Sequence, residues 1–116
     1  MKVAIVGSRG LGLQDFSPYL PEGASEIVSG GAKGIDQCAA AYAVAHGLTL
    51  TEYKPDYARY GRGAPLKRNL EIVDYADFVL IFWDGVSRGS RFVMDACART
   101  GKSHRVVRMD VPSGSL

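Results

Sequence analysis

Residues 25–47 read SEIVSGGAKGIDQCAAAYAVAHG, and this stretch decides the fold. Ser25 to Ser29 carries Ile27 and Val28 at its centre and breaks at once on Gly30 and Gly31, which reads as a buried strand. After GGAKG a helical pattern begins. Ile35, Cys38, Ala39, Tyr42 and His46 recur on one face at the spacing of an amphipathic helix. The intervening alanines let that helix lie close to a sheet, and Gly47 follows as its C-cap. A strand, a glycine turn and a helix in so short a span are the first two parts of a βαβ unit.

The same alternation extends in both directions. Lys2 to Val6 is a β-branched run that stops at Gly7. Residues 14–20 read as one or two helical turns, started near Pro18 and stopped by Pro21. Leu48 to Glu52 is the third strand. The polar stretch YKPDYARYGRG leads into a helix near 65–75 with Leu66, Leu70 and Val73 inward. Phe78 to Trp83 (FVLIFW) is the most apolar strand and therefore central. DGVSRGS opens a helix near 89–100 with Phe92, Val93, Ala96 and Cys97 inward; Gly101 ends it, His104 to Met109 is the last strand, and the tail 111–116 reads as frayed. Five short strands separated by helices predict an α/β fold, a doubly wound parallel sheet in the order 3-2-1-4-5 with helices on both faces, in a single domain over 1–110.

Composition bounds the function. The 116 residues contain 47% hydrophobic and 22% charged side chains, a globular balance. Fourteen Lys and Arg against 12 Asp and Glu leave +2, which argues against a partner held by bulk charge such as duplex DNA. Two cysteines, Cys38 and Cys97, make neither a disulfide framework nor a CxxC metal site, and they read as core residues of a reducing compartment. No stretch has the length of a membrane span and the opening MKVAIVGSRG lacks a signal-peptide core, so the cytoplasm is the expected location. Two histidines without ligand spacing predict no protein metal site.

In a 3-2-1-4-5 sheet the direction of winding reverses between the first and fourth strands, and ligands bind at the carboxyl ends beside that reversal. The glycine-rich loops fall there: GSRGLG after the first strand, GGAKG after the second, DGVSRGS after the fourth. Each is expected to run toward a helix whose free N–H groups attract anions, and Arg9, Lys33 and Arg88 add one cation per loop. Neither common phosphate motif is present: GxGxxG would need glycine where Arg9 stands, and no GKS or GKT follows a glycine loop. Residues 53–68 add Lys54, Arg59, Arg62, Lys67 and Arg68 against Asp56, with Tyr53, Tyr57 and Tyr60 among them. A loop of this kind is expected to act as a lid that stacks on a base and forks onto phosphate. Asp36 sits in a first helical turn, where the dipole accounts for it. Asp84 either grips ribose hydroxyls or forms a turn with Gly85. Ser87 and Ser90 bond phosphate or cap a helix. Asp36 and Asp84 are the two carboxyls available for general acid–base work.

The string IVSGGAKGID resembles the SGxAxGID signature of the SLOG superfamily, which groups the DNA-processing protein DprA, the Lonely guy (LOG) enzymes and the YspA-like proteins. VAIVGSRG, KRNLEIV and FWDGVSRGS resemble its first-strand loop, its RN-containing helix start and its late glycine loop. The likeness runs from residue 3 to about 108 and is closest to the small YspA-like branch. It implies a Rossmann-like fold and no certain cofactor beyond a nucleotide or nucleotide-derived ligand. The implied ligand-binding residues are Gly7, Ser8 and Arg9; Gly30, Gly31, Ala32, Lys33, Gly34 and Asp36; Arg68 and Asn69; and Asp84, Gly85, Ser87, Arg88, Gly89 and Ser90. Related proteins dimerise through helices, so the resemblance admits a homodimer. LOG phosphoribohydrolases carry a glutamate three residues after a PGGxGT threonine. Here that position is Val93 and the glycines before Arg88 are reduced to Gly85, which turns the expectation toward binding or sensing. Nucleotide hydrolysis and DprA-like binding of single-stranded DNA are the alternatives.

Overall fold

The computed structural model describes residues 1–111, and the remainder of the expected tail lies outside the described residues. The five strands are β1 (Lys2–Gly7), β2 (Glu26–Ser29), β3 (Thr49–Glu52), β4 (Phe78–Trp83) and β5 (His104–Arg108). They form one all-parallel sheet in the order β3-β2-β1-β4-β5, with Ile5 opposite Leu80 at its centre. The fold is the Rossmann-like α/β arrangement expected from the alternation. Strands buried on both faces read as continuous apolar runs. Val3, Ile5, Leu80 and Phe82 point to one core layer, and Ala4, Val6, Val79 and Ile81 to the other.

Helix α1 (Ile35–Ala45) covers the first face, with Ile35, Ala39, Tyr42 and Ala43 buried. His46 is exposed and stacks on Tyr42 instead of entering the core, a correction to the expected inward face. Residues 14–20 do not form a helix. Asp15 accepts hydrogen bonds from the Ser17 N–H and hydroxyl, and the Phe16 carbonyl accepts from Tyr19 and Leu20, giving a single turn. Between Pro18 and Pro21 there is room for no more, and one isolated turn does not propagate. Phe16 anchors this irregular crossover. It is fully buried, edge-on to both Tyr42 and Phe82 at 5.6 and 5.4 Å.

The second face is covered by two longer helices. A short helix α2 (Tyr57–Tyr60) and a 3-10 turn at Gly61–Gly63 lead into α3 (Ala64–Tyr75), and α4 (Arg88–Thr100) follows β4. In α3 the buried stripe is Ala64, Arg68, Ile72 and Val73, whereas Leu66 and Leu70 are exposed. The expected inward leucines therefore point away from the core. The helix is turned because Arg68 finds carbonyl partners at the strand ends, described below. In α4, Val93, Ala96 and Cys97 are buried and Phe92 is only half-buried; Ser87 caps its start and Gly101, left-handed at φ 72°, ends it. Among the described residues, no helix is long and apolar enough to cross a membrane.

Candidate functional site

First-turn residues of the three long helices meet at the carboxyl rim of the sheet, around one cleft of about 430 Å3. Val6 and Gly7 at the end of β1 form its floor. Ala32 and Asp36 line it from the start of α1; Pro65, Leu66, Arg68 and Asn69 from α3; and Asp84, Ser87, Gly89, Ser90 and Val93 from the β4 loop and α4, with Arg9 and Gly10 at the mouth. The cleft lies at the reversal between β1 and β4, where such sheets present their ligand sites.

Two loop approaches shape it. Gly34, at φ 77°, caps α1 without a side chain and lies against the Arg9 backbone, where any Cβ would collide with the Arg9 carbonyl. Gly7 lies so close to Ile35 that a Cβ there would be 2.6 Å from its side chain. These contacts draw the first and second loops together. Ser8 joins the first loop to the fourth strand's: its N–H donates to the Phe82 carbonyl, and its hydroxyl accepts from the Asp84 N–H at 3.2 Å. Ser8 is buried and does not line the cleft, so its hydroxyl positions the loops and does not face a guest.

Arg68 is the centre of the site. It is 8% exposed. Its Nη1 donates to the Gly30 carbonyl at the end of β2 and to the Tyr53 carbonyl after β3, and its Nε donates to Asn69 Oδ1 at 2.8 Å. Burial lowers the guanidinium's affinity for its proton and the nearby Asp36 restores part of it, so the group stays a cation. Asp36 is also buried, and its Oδ2 accepts from the Ala32 N–H. Burial pushes this carboxyl above the ordinary carboxylate range, while the Ala32 N–H and the charge of Arg68 oppose the rise.

The native state holds the Asp36 proton more tightly than the unfolded chain, so stability contributed by the protonated form is lost as pH rises through the raised native value. Asp36→Asn is therefore expected to gain stability relative to the parent between acid and neutral pH, with the difference closing below the ordinary carboxylate value. Denaturant melts across that window check it, and a difference that grows toward acid contradicts it.

Asp84 behaves in the opposite way. Its Oδ1 accepts from the Val86 and Ser87 N–H groups at 2.9 and 2.8 Å, and these bonds hold its carboxyl below the usual range. It forms the turn and is ionised at neutral pH, which makes it a poor proton donor. Ser87 Oγ accepts from the Ser90 N–H, the capping role.

Several expected site residues stand apart. Lys33 and Gly31 are exposed and do not line the cleft. Arg88 and Gly85 line a separate groove with Trp83 and Arg91, and the Arg108 guanidinium packs on Gly85. Gly30 and Gly34 shape the wall through contacts to Arg68 and Arg9 without lining the cleft themselves. One cation per loop therefore reduces to Arg9 alone, joined by Arg68 from α3. The GSRGLG loop enters the irregular crossover and not a helix; the third helix start comes from α3. The expected lid is the α2 and 3-10 segment. Tyr53 packs on Tyr75 at the sheet, while Tyr60 carries Arg59 and Lys67 beside its ring. No residue of 53–63 lines the cleft. The lining contributions of Val6, Gly10, Pro65, Leu66 and Val93 carry no chemical signature in a sequence.

Comparison of the chain with family models, curated proteins and solved structures gives no match.

Proposed function

We propose that the chain is a SLOG-like nucleotide-binding domain whose rim cleft holds a nucleotide or nucleotide-derived ligand. The observation that supports it is the meeting of three helix first turns with Arg9 and Arg68 around one cleft. Helix starts present free N–H groups and positive dipole ends, and α1 lacks a side-chain cap that would occupy its own. A volume of about 430 Å3 falls in the range of small-molecule clefts. Pro65 and Leu66 give it apolar surface on which a base can rest. The two free cysteines suit a reducing cytoplasm.

A second reading is favoured by Asp36, a buried carboxyl of raised proton affinity in the wall of the cleft: hydrolysis of the bound nucleotide with Asp36 as general acid. One experiment addresses both. The protein is melted with a panel of nucleotides at millimolar concentration, and each mixture is then chromatographed. A nucleotide present at about 100 times its Kd adds ~2.7 kcal/mol, a rise of roughly 10 °C for a domain this size. A nucleotide that shifts melting and is recovered intact supports binding alone; a converted one supports the hydrolase. No shift with any member overturns the reading.

A further inference from the structure

The segment that joins β3 to α3 takes no part in the cleft, yet it holds the molecule's densest positive charge. Residues 53–68 carry five of the 14 Lys and Arg and one of the 12 Asp and Glu, so the remainder of the chain is net negative. Asp56, the one acid, serves as the cap of α2, where its Oδ1 accepts from the Arg59 N–H. Neither α2 nor the 3-10 turn after it buries any residue. Residues 57–63 therefore add nothing to the core, and what distinguishes them is what they present to solvent.

They present rings and cations together. Tyr57 and Tyr60 are 61% and 37% exposed, whereas Tyr53 packs on Tyr75. The two exposed tyrosines stand three residues apart in one helix, which makes them neighbours on its surface. The Arg59 guanidinium and the Lys67 ammonium lie 5.4 and 5.8 Å from the centre of the Tyr60 ring, and Arg62 is exposed on the turn that follows. This patch adjoins the cleft. Tyr57 stands within electrostatic reach of Arg68, and Lys67 lies in sequence between Leu66 and Arg68, both of which line the cleft wall.

Exposed rings flanked by cations suit a guest that offers flat base faces in succession with a phosphate at each step. A duplex keeps its bases stacked on one another, whereas a single strand can lay them on aromatic side chains. An acidic peptide or a polyphosphate would use the cations and leave the rings bare. A lone mononucleotide in the cleft leaves both tyrosines unused, because neither lines it.

We propose that Tyr57–Lys67 is a track for a single nucleic-acid strand: one nucleotide enters the rim cleft, and its neighbours stack on Tyr57 and Tyr60 with their phosphates on Arg59, Arg62 and Lys67. The net charge of +2 is no obstacle, because the positive charge is gathered where the strand runs. The cleft end of the strand rests on the nucleotide reading above.

The test is calorimetric titration with thymidylates (DNA) and uridylates (RNA) of one, two, four and eight nucleotides, in about 50 and 200 mM salt. In at least one series the parent protein is expected to bind the tetranucleotide at least about 30-fold more tightly than the mononucleotide. Three phosphate contacts give a further fall of roughly 20-fold between the two salt concentrations. Tyr57→Ala combined with Tyr60→Ala is expected to weaken the tetranucleotide at least about tenfold and to leave the mononucleotide within about twofold. Arg59→Gln, Arg62→Gln and Lys67→Gln together are expected to flatten the salt dependence. None of these side chains is buried, so both variants should melt with the parent. Affinity that does not rise with length, a rise undiminished in the tyrosine variant, or displacement of the tetranucleotide by an equal concentration of inorganic tripolyphosphate overturns the track and leaves the nucleotide reading standing. No binding of any length in either series overturns both.

Discussion

Arg68→Ala is expected to abolish nucleotide binding and to lower stability by about 2–4 kcal/mol, a fall in melting temperature of roughly 10 °C. The guanidinium joins the ends of β2 and β3 through the Gly30 and Tyr53 carbonyls and orders Asn69 beside the cleft. Truncation leaves two carbonyl acceptors without their donor, and it leaves the Asp36 carboxylate buried without its nearest compensating charge. Arg68→Lys keeps the charge but not the fork, and is expected to recover part of the stability and little of the affinity. Thermal melts with and without nucleotide measure both effects. An alanine variant as stable as the parent would show that these hydrogen bonds do not hold the strand ends.

Phe16→Ala has the larger effect on folding, about 3–5 kcal/mol. The ring is fully buried and sits edge-on to Tyr42 and Phe82, and Tyr19 also stands edge-on to Phe82 at 5.3 Å. Such pairs contribute about 0.5–1.5 kcal/mol each beyond their buried area. The crossover from β1 to β2 has no helix to hold it, so Phe16, with Leu11, carries its attachment to the sheet. Loosening it releases the Ser8–Leu11 turn that carries Arg9 to the cleft. Phe16→Leu, which keeps most of the apolar volume, is expected to recover most of the lost stability. Denaturant unfolding with matched slopes decides the matter. A loss under about 1 kcal/mol for the alanine variant would mean the segment is held by something else.

The strands were legible because burial on both faces leaves continuous runs such as VAIV and FVLIFW, and their order follows from right-handed crossovers through intervening helices. The position of the cleft followed from that order. Less legible was the rotation of α3. Leu66 and Leu70 fit the apolar pattern as well as the true stripe does, and only tertiary structure places carbonyls within reach of Arg68. The reach of cations was also hidden. Lys33 and Arg88 stand in the right loops but do not line the cleft, because sequence places a residue on a loop without giving its side-chain direction. Ser8 looks like a ligand group in sequence, but it is buried and its hydroxyl ties the first loop to the loop after β4; Asp84 lines the cleft while its Oδ1 holds its own turn.

On the proposed function, the turns after β1, β2 and β4 bind one guest together. The most direct measurement is a 15N-resolved amide titration with the nucleotide that raises the melting temperature most. The expected result is that the largest shifts fall together on Gly7–Gly10, on Ala32–Gln37 and on Gly89–Ser90, with the Arg68 Nε–H moving at the same ligand concentration. Shifts confined to one of these turns, or centred on the separate groove of Trp83 and Arg91, would contradict it.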